Sequence, residues 1–385
     1  MKRKVLIMMN SLYGGGAERV LQVILSHLNY EKFDVTVYSL HQEPIDYTLY
    51  SPKAKYRYLF SKSAQHGGLK ENIKQFWQKI KGKCFCLLPS KYFYRLFVHG
   101  KYDVEVAFIE GESTKIISGS TNPKSKKIAW VHTDLAKNPW TAFLYHNVAD
   151  ESAHYQKYHQ ILCVSNEVAQ SFCRKYDVDP KKVRTQYNPI DPEEIRLKAA
   201  LTCELPPKNR TRMVAVGRLV PQKGFDRLLR ITKRLVDTGL DFELFILGEG
   251  SERPQLEKYV SEYQLEHHVT LLGYCPNPYP YMNSADMIVC SSRAEGFGMV
   301  LTESLILGLP IVTTGCAGIR ENLGNAACGI ITENSEDALY EALLQVLSSP
   351  EQLHTFALAS QRRGEAFCLN TIMQQIEDRL YESID

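Results

Sequence analysis

The sequence contains no long apolar run: no stretch approaches the roughly 20 consecutive apolar residues that a helix needs to cross a bilayer. We therefore expect any membrane contact to be peripheral. No secretory signal pattern precedes the first predicted strand, because Met1-Lys2-Arg3-Lys4 leads directly into a short apolar segment. The ten cysteines are scattered, and Cys84 with Cys86 forms a C-x-C rather than a zinc-like pair. Free thiols favour a reducing, cytoplasmic setting.

Motifs for metal and dinucleotide binding are also poorly developed. Asp177-Val178-Asp179 has the D-x-D pattern, but it lies in a charged turn before Pro180 rather than after a strand, so we predict no metal. The cluster Gly14-Gly15-Gly16 does not complete G-x-G-x-x-G, and the second predicted strand ends at Tyr38-Ser39 without an acidic residue. NAD binding is therefore disfavoured, and we predict no cofactor.

The apolar pattern that is present predicts two domains. Hydrophobic residues make up 44% of 385 residues, which is enough for two cores. Short apolar strands alternate with helices over 5–164, and the alternation begins again at Met213 after a polar linker that follows Asn188-Pro189. This alternation predicts an α/β fold with two Rossmann-like, doubly wound parallel sheets. We place the domains at 1–190 and 191–365.

The strongest local motif runs from Glu295 to Glu303 and contains Gly296-Phe297-Gly298. It follows a predicted strand and enters a helix, whose N–H groups and positive dipole end suit a diphosphate. Carboxylates would repel phosphate but accept hydrogen bonds from hydroxyl groups. A nucleotide sugar has both features, whereas the alternative is a surface loop with two solvated glutamates.

A second motif, Gly217-Arg218 with Lys223-Gly224, follows the strand that ends at Val216. Ligands of doubly wound sheets bind at the carboxyl ends of the strands. A cation at the start of a helix is disfavoured by the dipole, so a bound anion explains Arg218 and Lys223 better than solvated charges do.

In the first domain, His132 closes another strand within Trp130-Val131-His132-Thr133-Asp134, where it is either a substrate contact or a structural histidine.

Together these motifs resemble glycosyltransferase family 4, whose members have the two-domain B-type fold with a cleft between the domains. The resemblance covers nearly the whole chain and includes further motifs: Gly14-Gly15-Gly16-Ala17-Glu18-Arg19, Val164-Ser165-Asn166, Asn188-Pro189-Ile190-Asp191 and Leu247-Gly248-Glu249-Gly250. It implies a metal-independent, retaining hexosyl- or glycosyltransferase. It also implies that a last helix, at about 366–385, packs back on the first domain.

The resemblance assigns roles to individual residues. Glu295, Arg218, Lys223 and His132 would be catalytic, with the two cations stabilising the departing diphosphate. Glu303 would bind the ribose and Tyr274 the base. The other donor contacts would be Gly15, Gly16, Gly217, Gly296, Phe297, Gly298, Met299 and Val300. The acceptor would lie near Glu110, His132 and Asp134.

Within the family, Ala107-Phe108-Ile109-Glu110-Gly111 and the His132 segment look like bacterial enzymes of capsule, exopolysaccharide or lipopolysaccharide assembly. This similarity implies a UDP-sugar donor and a glycan acceptor on a polyprenyl diphosphate lipid, at the inner face of the cell membrane. Two alternatives remain open: a nucleotide-sugar epimerase on the same fold, and a non-catalytic regulatory subunit of a transferase complex.

Charge is distributed unevenly along the chain. Residues 53–101 contain twelve Lys or Arg and a single acidic residue, Glu71, a net charge of +11 in a chain of net charge +3. Ten aromatic residues are interleaved, and Ile73, Phe76, Trp77 and Ile80 fall on one helical face. A basic amphipathic helix of this kind fits an anionic membrane surface. No nucleic-acid motif accompanies it, so we predict no nucleic-acid partner; the alternative is aromatic packing in the first domain beneath a solvated basic face.

Overall fold

The computed structural model describes residues 2–12, 15–42, 46, 50–60, 85, 88–324 and 327–382. The chain divides into two compact units: a first unit of Met1–Pro189 with Asn370–Asp385, and a second unit of Ile190–Leu369. Within the described residues, no helix has both the length and the apolar character needed to cross a membrane.

The first unit contains a parallel sheet with the strand order β3-β2-β1-β4-β5-β6-β7. Its strands are β1 (Arg3–Met9), β2 (Phe33–His41), β3 (Lys55–Phe60), β4 (Val104–Ala107), β5 (Lys126–Val131), β6 (Gln160–Cys163) and β7 (Val183–Thr185). Its helices, in chain order, are α1 (Gly16–His27), α2 (Ser90–Phe97), α3 (Glu112–Ile117), α4 (Val148–Tyr155) and α5 (Asn166–Lys175).

The second unit repeats this architecture with the strand order β10-β9-β8-β11-β12-β13. Its strands are β8 (Thr211–Val216), β9 (Phe242–Leu247), β10 (Val269–Gly273), β11 (Met287–Cys290), β12 (Ile311–Thr314) and β13 (Gly329–Thr332). Its helices are α6 (Pro192–Ala199), α7 (Phe225–Asp237), α8 (Arg253–Glu262), α9 (Tyr279–Asn283), α10 (Met299–Ile306), α11 (Ile319–Leu323), α12 (Glu336–Leu347) and α13 (Pro350–Gly364). The last helix, α14 (Leu369–Tyr381), returns to the first unit, where Lys32 pairs with Glu377 and Lys126 with Glu382.

Burial on both faces of the sheets explains the short apolar strands. All six residues of β9 are buried, and in β1 the last five are. Helix α7 covers one face of the second sheet with Leu228, Leu229, Ile231 and Leu235, each fully buried. Parallel strands require such double cover, so their sequences are continuous apolar runs rather than alternating ones. The prediction of two doubly wound parallel domains is confirmed.

The strand order of each sheet reverses direction at one place. In the first unit this switch point lies between β1 and β4, and in the second between β8 and β11. The loops that leave two such neighbouring strands run to opposite faces of the sheet and open a crevice at its carboxyl edge, where ligands bind in this class of fold. The segments after β8 and β11 carry Arg218, Lys223 and Glu295.

Some strand boundaries differ from the predicted ones. Strand β2 continues past Tyr38 because it pairs with β3 as far as His41 and Phe60. Strand β4 ends at Ala107, and the chain beyond it turns so that the Glu110 side chain accepts two backbone hydrogen bonds from the segment after β5.

Candidate active site

A glycine lets two loops of the second unit, those after β8 and β11, approach each other closely. The loop after β8 ends in a short 3₁₀ turn, Pro221–Lys223, followed by Gly224 with φ +65°. This left-handed conformation favours glycine, and a Cβ at Gly224 would collide with the carbonyl oxygen of Ser291. The absence of a side chain therefore lets the Lys223 loop press against the segment that leaves β11.

Lys223 and Glu295 form an ion pair across this contact. The Nζ of Lys223 lies 2.6 Å from Oε1 of Glu295, and the Ser292 hydroxyl donates to the same oxygen at 2.5 Å. Burial alone would lower the pKa of Lys223, but the Glu295 carboxylate outweighs it, so the pKa is raised and the lysine is a cation at neutral pH. Oε2 of Glu295 accepts no hydrogen bond from the described residues, and it is available to a hydroxyl ligand.

Arg218 supplies a second cation beside this pair. Its side chain is exposed, and it makes no ion pair with any residue that the structure describes. It is close enough to Lys223 for its charge to oppose the rise in the pKa of that lysine. The two cations and one carboxylate leave an excess positive charge at the carboxyl edge of β8.

The N-terminus of α10 has no acidic residue in its first turn. Its N-cap is Gly298, with φ +76° and no capping side chain. Met299 and Val300 follow and are partly exposed, whereas Gly296 and Phe297 are buried. The positive end of the helix dipole is therefore not neutralised by a carboxylate of its own first turn, which suits an anion.

Glu303 lies further along α10 and is 8% exposed. Its Oε1 accepts a hydrogen bond from the hydroxyl of Tyr279 at 3.0 Å. Tyr274, directly after β10, is 49% exposed, so its ring is accessible to a ligand. Gly217 follows β8, and a Cβ added at this position would make only ordinary van der Waals contact with the Lys223 side chain.

Three residues of this site were not predicted from the sequence: Ser292, Tyr279 and Arg227. Arg227 is 5% exposed and donates to the carbonyl oxygens of Ser291 and Ser292, each at 2.7 Å. It thereby fixes the segment that carries Glu295. The contacts of these residues join positions that are distant in the sequence, so no local pattern predicts them. Arg227 only interrupts the apolar pattern of α7, which does not indicate its function.

In the first unit, the segment after β5 is held by Glu110. Oε1 of Glu110 accepts the backbone N–H groups of His132 at 2.6 Å and Thr133 at 2.7 Å. The His132 ring stacks on Trp130, with ring centroids 6.0 Å apart, and burial lowers its pKa to about 3, so the imidazole is neutral. Asp134 is 2% exposed and accepts a hydrogen bond from the Ser171 hydroxyl, a contact that supports the loop after β5.

The other predicted positions of the first unit are placed as follows. Gly15 is the N-cap of α1 and Gly16 its first residue, and the carboxylate of Glu18 lies over Gly15. Gly14 lies outside the described residues. Asp179 of the D-x-D sequence caps a 3₁₀ turn by accepting from the N–H of Lys181 at 2.9 Å. Among the described residues, no group of His, Cys, Asp or Glu side chains is arranged to hold a metal.

The basic and aromatic segment 53–101 is described only in part. The face formed by Ile73, Phe76, Trp77 and Ile80 lies outside the described residues. Helix α2 lies within them and buries Phe93 and Tyr94. Its other side exposes Tyr92 by 56% and Leu96 by 54%, beside exposed Lys91 and Arg95.

Two protein-family models match this chain, one in each half. The family model "Glycosyltransferase Family 4" matches residues 14–194, and "Glycosyl transferases group 1" matches residues 203–363. The chain belongs to glycosyltransferase family 4. It is therefore an enzyme of the glycosyltransferase class, as predicted.

Individual relatives match this chain over different lengths. The chain is 29% identical to N-acetylgalactosamine-N,N'-diacetylbacillosaminyl-diphospho-undecaprenol 4-alpha-N-acetylgalactosaminyltransferase of Campylobacter jejuni, over 95% of this chain and 96% of that protein. It is 31% identical to the amylovoran biosynthesis glycosyltransferase AmsD of Erwinia amylovora, over 45% of this chain and 49% of that protein. The first is named as a transferase that acts on a diphospho-undecaprenol-linked substrate, and the second as a glycosyltransferase of amylovoran biosynthesis.

Solved structures of other proteins share the fold of this chain. HepE of Anabaena, in complex with UDP and glucose, aligns with a TM-score of 0.73 at 18% identity, over 98% of this chain and 99% of that chain. TarM of S. aureus aligns with a TM-score of 0.73 at 12% identity, over 99% of this chain and 100% of that chain. The B-type two-domain fold expected from the sequence is confirmed.

Proposed function

We propose that this family 4 enzyme transfers a sugar, with retention of anomeric configuration, from a UDP-sugar to a glycan acceptor on a polyprenyl diphosphate lipid. The observation that carries the proposal is the group formed by Arg218, Lys223 and Glu295 at the switch point of the second unit. It combines excess positive charge with a carboxylate oxygen that is available to a hydroxyl. A diphosphate sugar requires both.

The electrostatics of the group fit the departure of a diphosphate. When the bond between the anomeric carbon and the phosphate oxygen breaks, its electron pair remains on the diphosphate and the sugar gains cationic character. Arg218 and Lys223 stabilise the charge on the leaving oxygen, and the N-terminus of α10 adds its dipole. Oε2 of Glu295 accepts a hydroxyl of the transferred sugar, and Glu303 accepts the ribose hydroxyls.

Retention follows when the acceptor oxygen attacks from the face that the diphosphate leaves. The hydroxyl of the acceptor forms the new bond to the anomeric carbon, and its proton passes to the departing diphosphate oxygen. No carboxylate nucleophile is required in this route. His132, neutral because burial holds its pKa near 3, would serve as a hydrogen-bonding group and not as a cation.

The donor and acceptor are proposed from the family. HepE was solved with UDP and glucose, which supports a UDP-linked donor here. The Campylobacter enzyme is named for a diphospho-undecaprenol acceptor, which supports a lipid-linked glycan. We propose surface polysaccharide assembly on the inner face of the cell membrane as the setting.

Contact with the membrane surface is proposed through α2. Its exposed Tyr92 and Leu96 can enter the interface, while Lys91 and Arg95 face anionic head groups. No acidic residue interrupts this helix, SKYFYRLF. The contact would bring the enzyme to its lipid-linked acceptor.

The donor proposal is tested by thermal shift with UDP-, GDP- and ADP-sugars. A ligand that binds the folded chain at about 100 times its Kd stabilises it by about 2.7 kcal/mol, so UDP-sugars should raise the Tm most. Arg218→Ala should abolish this shift, whereas Arg234→Ala, which removes an exposed arginine paired with Asp337, should retain it. Transfer to a lipid-linked acceptor, with the anomeric configuration of the product read by NMR, tests the reaction. An equal response to all three bases, or an inverted product, would contradict the proposal.

The membrane contact is tested with vesicles of anionic and of neutral lipid. Sedimentation with anionic vesicles should be lost when Lys91 and Arg95 are both changed to Glu. The control is the double variant Leu197→Ser and Leu201→Ser in the second unit, which removes side chains that are 74% and 61% exposed but leaves α2 intact. Equal recovery of the unmodified chain with both vesicle types would remove the membrane proposal while leaving the transferase proposal in place.

A further inference from the structure

A single carboxylate oxygen holds the turn that carries His132. Glu110 follows β4 and is 0% exposed, and its Oε1 accepts both the His132 and the Thr133 N–H groups. Its second oxygen, Oε2, is buried and has no hydrogen-bond partner within the described part of the chain. A buried carboxylate is costly when one oxygen accepts two hydrogen bonds and the other accepts none, so its presence here calls for an explanation.

The surroundings of Glu110 disfavour its charge. The titratable groups that face it are Glu151 and Tyr155 on α4, Cys163 on β6, Tyr176 after α5, and His132 itself. None of these supplies a positive charge at neutral pH, because burial lowers the pKa of His132 to about 3. Burial raises the pKa of Glu110 to about 7, and the charge of Glu151 adds to the rise. The carboxyl group therefore changes its ionisation near neutral pH.

We propose that Glu110 is a positioning residue for the transfer reaction: its ionised carboxylate fixes the turn at His132 and Thr133, and its protonation loosens that turn. The inference rests on the proposed function, since it concerns how His132 is held for that reaction. Hydrogen bonds to an ionised acceptor are roughly twice as strong as neutral ones, so the turn is held less firmly when Glu110 is protonated. His132 stays neutral over the same pH range and cannot produce the change.

Activity and stability should then depend on pH in opposite directions. Activity rises as Glu110 ionises, through pH about 7. The folded-state pKa of Glu110 is raised above its ordinary value of 4.5. The protonated carboxyl group therefore contributes to the free energy of unfolding below pH 4.5, and this contribution is lost as the pH rises through about 7. A glutamine would offer the same acceptor oxygen without this loss, so the fold alone does not require the charge.

The test compares the unmodified chain with Glu110→Gln and Glu105→Gln. Glu105 is the matched control, because it lies on β4, is also 0% exposed, and has a pKa raised by burial. The unmodified chain and Glu105→Gln should show kcat/KM rising with an apparent pKa of about 7. Glu110→Gln should lose this rise and be about tenfold slower at about pH 8, with the donor KM unchanged. An unchanged profile in Glu110→Gln would overturn the proposal.

Two further measurements do not require turnover. The Tm of Glu110→Gln should exceed that of the unmodified chain at about pH 8, and the difference should vanish below about pH 5. Trp130 stacks on His132, so the tryptophan fluorescence of the unmodified chain should change with a midpoint near pH 7. The variant Trp130→Phe should lack this change. Absence of the change in the unmodified chain overturns the proposal even if Glu110→Gln fails to fold. Absence of transfer from every nucleotide sugar would refute the proposed function instead, and the fluorescence titration would still decide the role of Glu110.

Discussion

At the candidate active site, the neighbouring cations Lys223 and Arg218 differ in whether they form an ion pair. Lys223 is 21% exposed in its side chain and is paired with Glu295, whereas Arg218 is exposed and makes no ion pair with the described residues. The ion pair of the lysine therefore contributes to the folded structure, in addition to its role in the proposed ligand site. No side chain in the described part of the chain pairs with the arginine, so we expect it to be available to an anion.

This difference predicts separate effects of two alanine variants. Arg218→Ala should leave the free energy of unfolding within about 0.5 kcal/mol of the unmodified chain, yet lower kcat by about 100-fold. Lys223→Ala should lower kcat comparably and also cost about 2 kcal/mol, because it leaves the Glu295 carboxylate without its cation. Urea unfolding and steady-state kinetics measure the two quantities. The control, Lys233→Ala, removes an exposed pair with Asp237 and should change neither. A comparable stability loss in Arg218→Ala would show that Arg218 is structural.

The residues of the site that could be predicted lie in loops that follow a strand. Arg218 and Lys223 lie in the loop after β8, and Glu295 lies in the loop after β11; both apolar strands and the charged loops after them are visible in the sequence. Tyr279 and Ser292 could not be predicted, because their importance arises from contacts with Glu303 and Glu295 that only the folded chain makes. The roles assigned to all of these residues in the reaction remain predictions.

At the scale of elements, the strands and helices of both sheets follow from the apolar runs between polar turns. Their ends are less regular, since β2 extends to His41 through pairing with β3 and not through its own composition. How closely two loops approach is likewise set by the fold. The sequence shows Gly224 beside Lys223, but the collision that any side chain there would have with Ser291 exists only in the folded unit.

The close approach at Gly224 can be separated from its backbone conformation. Gly224 and Gly239 both have positive φ, +65° and +81°, but a Cβ at Gly239 would have no atom within 4 Å. Gly239→Ala should therefore cost only about 1 kcal/mol, the strain of the left-handed conformation. Gly224→Ala should cost about 1–3 kcal/mol more, because the loop must move away from Ser291. That movement should separate Lys223 from Glu295 and weaken UDP binding, measured by calorimetry. Equal stability and equal UDP affinity in the two variants would contradict this account.

At the scale of the whole molecule, the chain crosses from the first unit to the second and returns with α14. The return was expected from the family resemblance and not from periodicity, because an amphipathic helix does not specify which surface it covers. The structure shows the covering residues: Met373, Ile376 and Leu380 are buried, and Glu377 accepts from the backbone of Asn29 at 2.9 Å. The first unit is therefore completed by residues from the far end of the chain.

Completion of the first unit by α14 predicts that a change in this helix weakens that unit selectively. Ile376 is 1% exposed, and Ile376→Ala should cost about 2–4 kcal/mol through lost burial and a residual cavity. In calorimetry, UDP should raise the transition of the second unit, which contains the proposed donor residues, and so identify it. Ile376→Ala should then lower the other transition and leave the UDP-sensitive one in place. Leu358→Ala on α13, at a position 46% exposed, is the control and should move neither. If Ile376→Ala lowered only the UDP-sensitive transition, α14 would support the second unit instead, and the division of the chain would need to be redrawn.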